Sequence, residues 1–271
     1  MKTVWDILIL LIMGVCLTAC SNDNEDLDLA NSKISAPLVK GKRLVKIKNS
    51  DYVISLEYNS QGQVSKIKEH YHNGSIRENS YWYEGTRVIW SPVEIIYNLR
   101  NGLAVECNYT AISDSETLTS FECHCTYSYD NNGYLVKTIT VGSPEYEYLN
   151  HSYDYFWENG NINSVIESDS EGILNEYNIK YTSIENNIPL FCTHYYYNHN
   201  NVYLEWQGCF GKRCENLPQS MTVTNRTLGM ENSYTDTYNY TFEDGFITKI
   251  VVESTTMNGS IYQEVYELEW W

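Results

Sequence analysis

Tyr238-Asn-Tyr-Thr-Phe-Glu-Asp-Gly245-Phe-Ile-Thr-Lys-Ile250 reads as one complete β-hairpin. Rings at Tyr238, Tyr240 and Phe242 alternate with polar residues, Asp-Gly supplies the positive φ angles of a tight turn, and an aliphatic strand returns. The plan recurs in Leu56-Glu-Tyr-Asn-Ser-Gln-Gly62-Gln-Val-Ser-Lys-Ile67, Tyr127-Ser-Tyr-Asp-Asn-Asn-Gly133-Tyr-Leu-Val-Lys-Thr-Ile139 and Tyr153-Asp-Tyr-Phe-Trp-Glu-Asn-Gly160-Asn-Ile-Asn-Ser-Val165. Shorter versions run from Tyr81 to Val88 and from Tyr97 to Val105. One hairpin design is being reused. Turn signals divide residues 42–271 into roughly 15 to 17 strands, and no window shows helical periodicity. Parallel strands need long crossovers, so short links predict an all-β fold. It is an antiparallel up-and-down meander, either a strongly curved sheet or an open or half barrel.

The chain has 271 residues, 42% of them hydrophobic, with 18 Lys+Arg against 35 Asp+Glu and a formal charge of −17. That apolar content excludes general disorder. The acidic balance excludes nucleic acid as a partner, because phosphate neutralisation needs a surplus of cations.

Near the start, Lys2 precedes an apolar run from Ile7 to Leu17, too short to span a hydrocarbon layer as a helix. Residues 1–19 therefore read as a signal peptide. Leu17-Thr18-Ala19-Cys20 resembles the lipobox of bacterial lipoproteins, which implies that Cys20 becomes the diacylated first residue of the mature chain. Ser21-Asn22-Asp23-Asn24-Glu25-Asp26 resembles the acidic export signal of Bacteroidetes surface lipoproteins. Residues 20–41 then form a lipidated, flexible acidic tether, and residues 42–271 a single all-β domain. The hairpins resemble those of Bacteroidetes surface or periplasmic lipoproteins of unknown function with a porin-like, half-barrel domain, and also the YD repeats of large bacterial toxin shells. The resemblance implies a fold and an outer-membrane location, at the cell surface or the periplasmic face. It brings no catalytic residue.

Six cysteines remain beyond the lipobox: Cys107, Cys123, Cys125, Cys192, Cys209 and Cys214. An even number in an exported chain favours disulfides, and all six are candidates. A turn at Ser113 to Thr117 would set Cys107 opposite Cys123, and one at Asn198 to Asn201 would set Cys192 opposite Gln207 with Cys209 on the diagonal. Side chains two apart on a strand stand too far apart to bridge easily, so Cys123 and Cys125 should have different partners. Metal is disfavoured, since Cys123-His124-Cys125 puts the histidine on the other face and lacks zinc-type spacing.

The chain carries 25 Tyr, 7 Trp and 6 Phe. Period two assigns Tyr127/Tyr129, Tyr153/Tyr155/Trp157 and Tyr238/Tyr240/Phe242 to one face of each strand. A sugar-stacking platform is one reading of that face; the inner face of the sheet is preferred, because so much exposed apolar area would promote aggregation. Trp82 breaks the rhythm, as do the consecutive rings Tyr195, Tyr196 and Tyr197, which lead to Tyr203 and Trp206. These six are the ligand-contact candidates. There is no nucleophile elbow, zinc-protease motif or phosphate-binding loop. His70/His72 and the carboxylate pairs Glu145/Glu147 and Glu267/Glu269 read as solvated strand edges. An integral membrane barrel is disfavoured because Glu267 and Glu269 share a strand face with Trp271, where lipid contact would require apolar residues. The sequence therefore predicts a non-enzymatic, outer-membrane-anchored lipoprotein without cofactor or metal. It touches the membrane through its lipid anchor alone and binds a glycan or host polymer, or else acts as a structural or assembly component of the envelope, pairing with an envelope protein through its sheet edges.

Overall fold

A computed structural model describes residues 34–91, 95–112, 120–143, 150–188, 202–226 and 232–271. The lipobox with Cys20, the tether to residue 33, Cys192 and Tyr195, Tyr196 and Tyr197 lie outside the described residues.

Among the described residues sixteen strands follow in chain order. The first eight are β1 (Leu44–Lys48), β2 (Tyr52–Tyr58), β3 (Val64–Tyr71), β4 (Ile76–Glu84), β5 (Arg87–Ser91), β6 (Ile95–Arg100), β7 (Leu103–Ile112) and β8 (Ser120–Tyr129). Then come β9 (Leu135–Gly142), β10 (His151–Glu158), β11 (Asn161–Ser168), β12 (Ile173–Glu185), β13 (Asn216–Asn225), β14 (Asn232–Glu243), β15 (Phe246–Thr256) and β16 (Ile261–Trp270). Each pairs antiparallel with its sequence neighbour, and β1 pairs with β16, with Lys46 opposite Glu269 and Lys48 opposite Glu267. The meander thus closes fully into a barrel. Closure removes the free strand edges through which an envelope partner was expected to pair.

The tight turns use the predicted chemistry. Asn101-Gly102, Asn159-Gly160 and Asp244-Gly245 each hold two consecutive positive φ angles. At Asp130–Gly133 the Asp130 carboxylate accepts from the backbone N–H groups of Asn132 and Tyr134, fixing a longer loop.

Just after these turns the expected plain alternation gives way to a bulge. Ser128 faces Lys137 but Tyr129 faces Leu135, so Val136 is the extra residue; equivalent slips lie at Glu57/Tyr58, Asn98/Leu99, Phe156/Trp157, Lys180/Tyr181 and Thr241/Phe242. One extra residue turns a spacing of two into a spacing of three. The inward residues at the start of odd-numbered strands are therefore Val64 and Ile67, Ala104 and Cys107, Leu135 and Thr138, Ile162 and Val165, and Ile247 and Ile250. Ile139, read from the sequence as part of an alternating aliphatic strand, faces out and is exposed. Phe242, at its own bulge, is exposed as well, whereas Tyr238 is buried and Tyr240 packs against the core.

A ring closes each bulge from the next strand. The hydroxyls of Tyr58, Tyr83, Tyr129, Tyr181 and Tyr240 donate to the carbonyls of Leu44, Val64, Ala104, Ile162 and Pro218, and the indoles of Trp157 and Trp270 donate to those of Leu135 and Ile247. In every case the acceptor is the first inward residue of an odd strand, where the bulge interrupts the ladder. On β6, Leu99 stands where the other even strands carry the ring. This girdle marks the end of the barrel where even strands finish and odd strands begin. The remaining buried rings and aliphatics form one continuous core inside the barrel.

The outer face is charged. Ion pairs join neighbouring strands at Lys46–Glu269, Lys48–Glu267, Lys66–Glu78, Lys68–Glu57 and Lys137–Asp154. These positions alternate with the buried ones, as period two requires.

Candidate functional site

The two ends of the barrel differ. At the girdle end the segment 202–215, which leads into β13, seals the core with a short helix, α1 (Val202–Trp206), all five residues of which are buried. The sequence predicted no helix and placed a hairpin here, with Tyr203 and Trp206 as exposed ligand contacts. Both are instead core residues, at 5% and 1% exposure. Five residues are too few to show helical periodicity, and an aromatic-rich segment that fills a barrel looks locally like a strand.

The plug is held by main-chain and amide bonds. The Gln207 side chain accepts from the backbone N–H of Val64 at 2.7 Å and donates to the Tyr203 carbonyl and the Tyr83 hydroxyl at 3.0 Å. Cys209 accepts from the Ala104 N–H at 2.7 Å, the Lys212 N–H donates to Gly133 and the Glu215 N–H donates to Gly160. Phe210 meets Tyr127 and Tyr97 edge to face at 5.0 and 5.9 Å. Within α1 the Glu205 carboxylate is buried. Burial first, and that carboxylate among the smaller causes, pushes the Tyr129, Tyr155 and Tyr181 hydroxyls above the ordinary tyrosine range.

Towards the far end the inward rows become polar. Glu69 accepts from the Tyr71 hydroxyl at 2.7 Å and lies in register with Arg77. Glu167 accepts from Tyr153 at 2.8 Å, from Tyr177 at 3.2 Å and from the Asn175 amide at 2.6 Å, and Asn175 accepts in turn from Asn225. Asp236 accepts from Ser254 at 2.6 Å, and Glu264 from Tyr266. Four carboxylates therefore sit on the lumenal face, three of them bonded to phenols. Their charge shows in the phenols: the bond to Glu69 raises the Tyr71 hydroxyl, and burial followed by Glu167 raises Tyr153. The sequence reading passed over all four. The signal was there in parity, since Glu69 shares a face with Ile67 and Tyr71, Asp236 with Tyr234 and Tyr238, and Glu264 with Tyr266 and Leu268.

Trp82 is half exposed and points outward beside Ile89, away from the lumenal carboxylates. Cys107 stands opposite Cys125, and Tyr109 opposite Cys123, which corrects the expected facing of Cys107 and Cys123. The connection is centred one residue later than the Ser115 midpoint. Cys107, Cys123, Cys125, Cys209 and Cys214 are buried free thiols. No group of His, Cys, Asp or Glu suited to a metal occurs among the described residues.

No protein-family model matches the chain, and no curated protein matches it in sequence. Its fold is similar to that of a porin-like protein from Bacteroides uniformis, with a TM-score of 0.62 and 15% identity over 84% of this chain and 95% of that one. A porin-like protein from Bacteroides vulgatus gives 0.60 and 14% over 83% and 97%. The chain has the barrel fold of these porin-like Bacteroides proteins. Porins keep a polar, water-filled lumen and an apolar outer band. This barrel has the opposite polarity, with an aromatic and aliphatic interior and ion pairs outside.

Proposed function

We propose that this protein is a non-enzymatic envelope lipoprotein whose barrel stands in water and binds a hydroxyl-rich ligand, a glycan segment, at the carboxylate–tyrosine belt of its far end. The observation that carries the reading is that belt: Glu69, Glu167 and Glu264, each bonded to a phenol, lining an otherwise apolar barrel sealed at its opposite end. Carboxylates and amides accept and share hydrogen bonds from sugar hydroxyls while the adjoining rings cover the apolar sugar face. Charged side chains on the outer strands would face hydrocarbon in a spanning barrel, so anchoring falls to a lipid on Cys20. The porin-like names of the similar structures agree with an outer-membrane setting, at the cell surface or the periplasmic face.

The chain from residue 34, which holds every described strand, is to be screened on a polysaccharide array and its hits measured by calorimetry. Glu167→Gln and Glu69→Gln should weaken the hits about tenfold each, the worth of a charge-assisted hydrogen bond, and Trp82→Ala should leave them unchanged. Binding lost only in Trp82→Ala would move the site to the outer wall. An array with no hit removes the glycan reading.

A further inference from the structure

A second site, independent of the lumenal belt, lies at the girdle end, where the plug leaves the barrel. A cleft of about 510 Å³ opens between Tyr134, the end of β12 at Glu185 and Asn186, and the segment Lys212 to Asn216. That size falls within the range of small-ligand pockets. Its walls are fixed: the Asn186 N–H donates to Glu215 at 2.8 Å, the Glu215 N–H to Gly160 at 3.0 Å, and the Asn216 N–H to the Asn161 side chain at 2.9 Å. The Tyr134 ring packs on Trp157 at 4.4 Å between centroids, and the Lys212 ammonium lies 4.7 Å from the Tyr134 ring.

Four charged side chains line this cleft, Lys212, Arg213, Glu185 and Glu215, and none is engaged in an ion pair among the described residues. Elsewhere on the barrel Lys46, Lys48, Lys66, Lys68, Arg87, Lys137 and Arg226 each pair with a carboxylate. Arg213 brings a guanidinium to this wall, and its Nη1, shielded from solvent, has no hydrogen-bond partner among the described residues. A buried guanidinium nitrogen without an acceptor is costly, and its planar fork suits a carboxylate. The Glu215 carboxylate lies against the α-carbon of Gly160, where an added Cβ would be 2.4 Å from it. A bare anion would meet Glu185 and Glu215, and a bare cation would meet Lys212 and Arg213. A molecule carrying both charges satisfies both pairs.

We propose that this cleft binds a small zwitterion with a free carboxylate and a free ammonium, of the class of a short peptide. The carboxylate bonds to Arg213 and Lys212, the ammonium to Glu215 and Glu185, and Tyr134 covers the apolar part.

Calorimetry with the mature chain in detergent tests this with L-alanyl-L-alanine as the probe, beside its N-acetylated and its C-amidated forms. Expected is saturable binding of the free dipeptide, with each blocked form weaker by about tenfold or more, the loss of one charge-assisted contact. Lys212→Gln and Glu215→Gln, both at exposed positions, should weaken the dipeptide several-fold and flatten the preference for the charge each one serves. Arg213→Gln should weaken it most, and the two exposed variants decide the matter if that one does not fold. The proposal is overturned if the dipeptide gives no heat at roughly 10 mM. It is also overturned if a blocked form binds as well as the free one, or if Lys212→Gln and Glu215→Gln both keep the parent affinity.

Discussion

Single hydroxyls and single α-hydrogens do much of the local work. The Tyr83 hydroxyl donates to the Val64 carbonyl and accepts from Gln207, tying a bulge to the plug. Tyr83→Phe leaves the Val64 carbonyl and one Gln207 amide N–H without this partner in a buried place, and should lower stability by about 1–3 kcal/mol in urea unfolding. Two glycines give a sharper contrast. At Gly211, with φ +85°, an added Cβ would lie 2.4 Å from the Gly133 carbonyl oxygen and 3.1 Å from the Tyr129 ring. At Gly74, with φ +84°, nothing lies within 4 Å. Gly74→Ala carries the backbone strain alone, about 1 kcal/mol, whereas Gly211→Ala adds a collision with main chain and should cost at least twice as much. Equal losses in the two variants would mean that the plug does not press against the turn at Gly133.

The repeating element is the hairpin with its bulge and its bridging ring. A bulge leaves a carbonyl without a ladder partner, and the ring from the next strand satisfies it, so the tyrosine surplus serves hydrogen bonding as well as packing. Among the described residues the plug, like Leu99 on β6, departs from that repeat. Trp206 is 1% exposed at the end of α1, so Trp206→Ala should cost about 3–5 kcal/mol, readable as a lower urea midpoint. The register of β7 and β8 also makes a prediction. The facing Cys125 raises the Cys107 thiol, and the same interaction lowers that of Cys125. Treatment with diamide, which takes up the two thiol hydrogens as the S–S bond forms, should link Cys107 to Cys125. Peptide mapping that finds Cys107 joined to Cys123 would contradict the register, since directly opposed residues have the shorter Cβ separation.

At the scale of the whole molecule, burial of many phenols and thiols fixes the response to alkali. Burial pushes Cys209 from its ordinary 9.0 up to about 12 and Cys214 to about 11, and moves Tyr83, Tyr129 and Tyr155 upward as well. The folded state therefore keeps protons that the unfolded chain releases. Stability from this source is fully present below about pH 9 and is lost as pH rises through 11 to 12. Urea midpoints should hold steady from pH 7.5 to 8.5 and fall steeply above 9. A midpoint that stays level above pH 9 would show the rings and thiols to be solvated.

The hairpins, their Asn-Gly and Asp-Gly turns and the antiparallel order were legible in the sequence because period two and positive-φ turn residues are local properties. The inward face of Tyr127, Tyr153 and Tyr238 was legible for the same reason. Closure was not, since the pairing of Lys46 with Glu269 and Lys48 with Glu267 joins residues more than 200 positions apart, and no local pattern encodes it. The outward turn of Ile139 was also hidden, because one bulge residue reverses every side chain beyond it. Tyr203 and Trp206 resembled surface rings until the barrel gave them an interior to fill. Local sequence thus determined which units form, and tertiary structure decided what they enclose, because burial depends on the far side of the barrel.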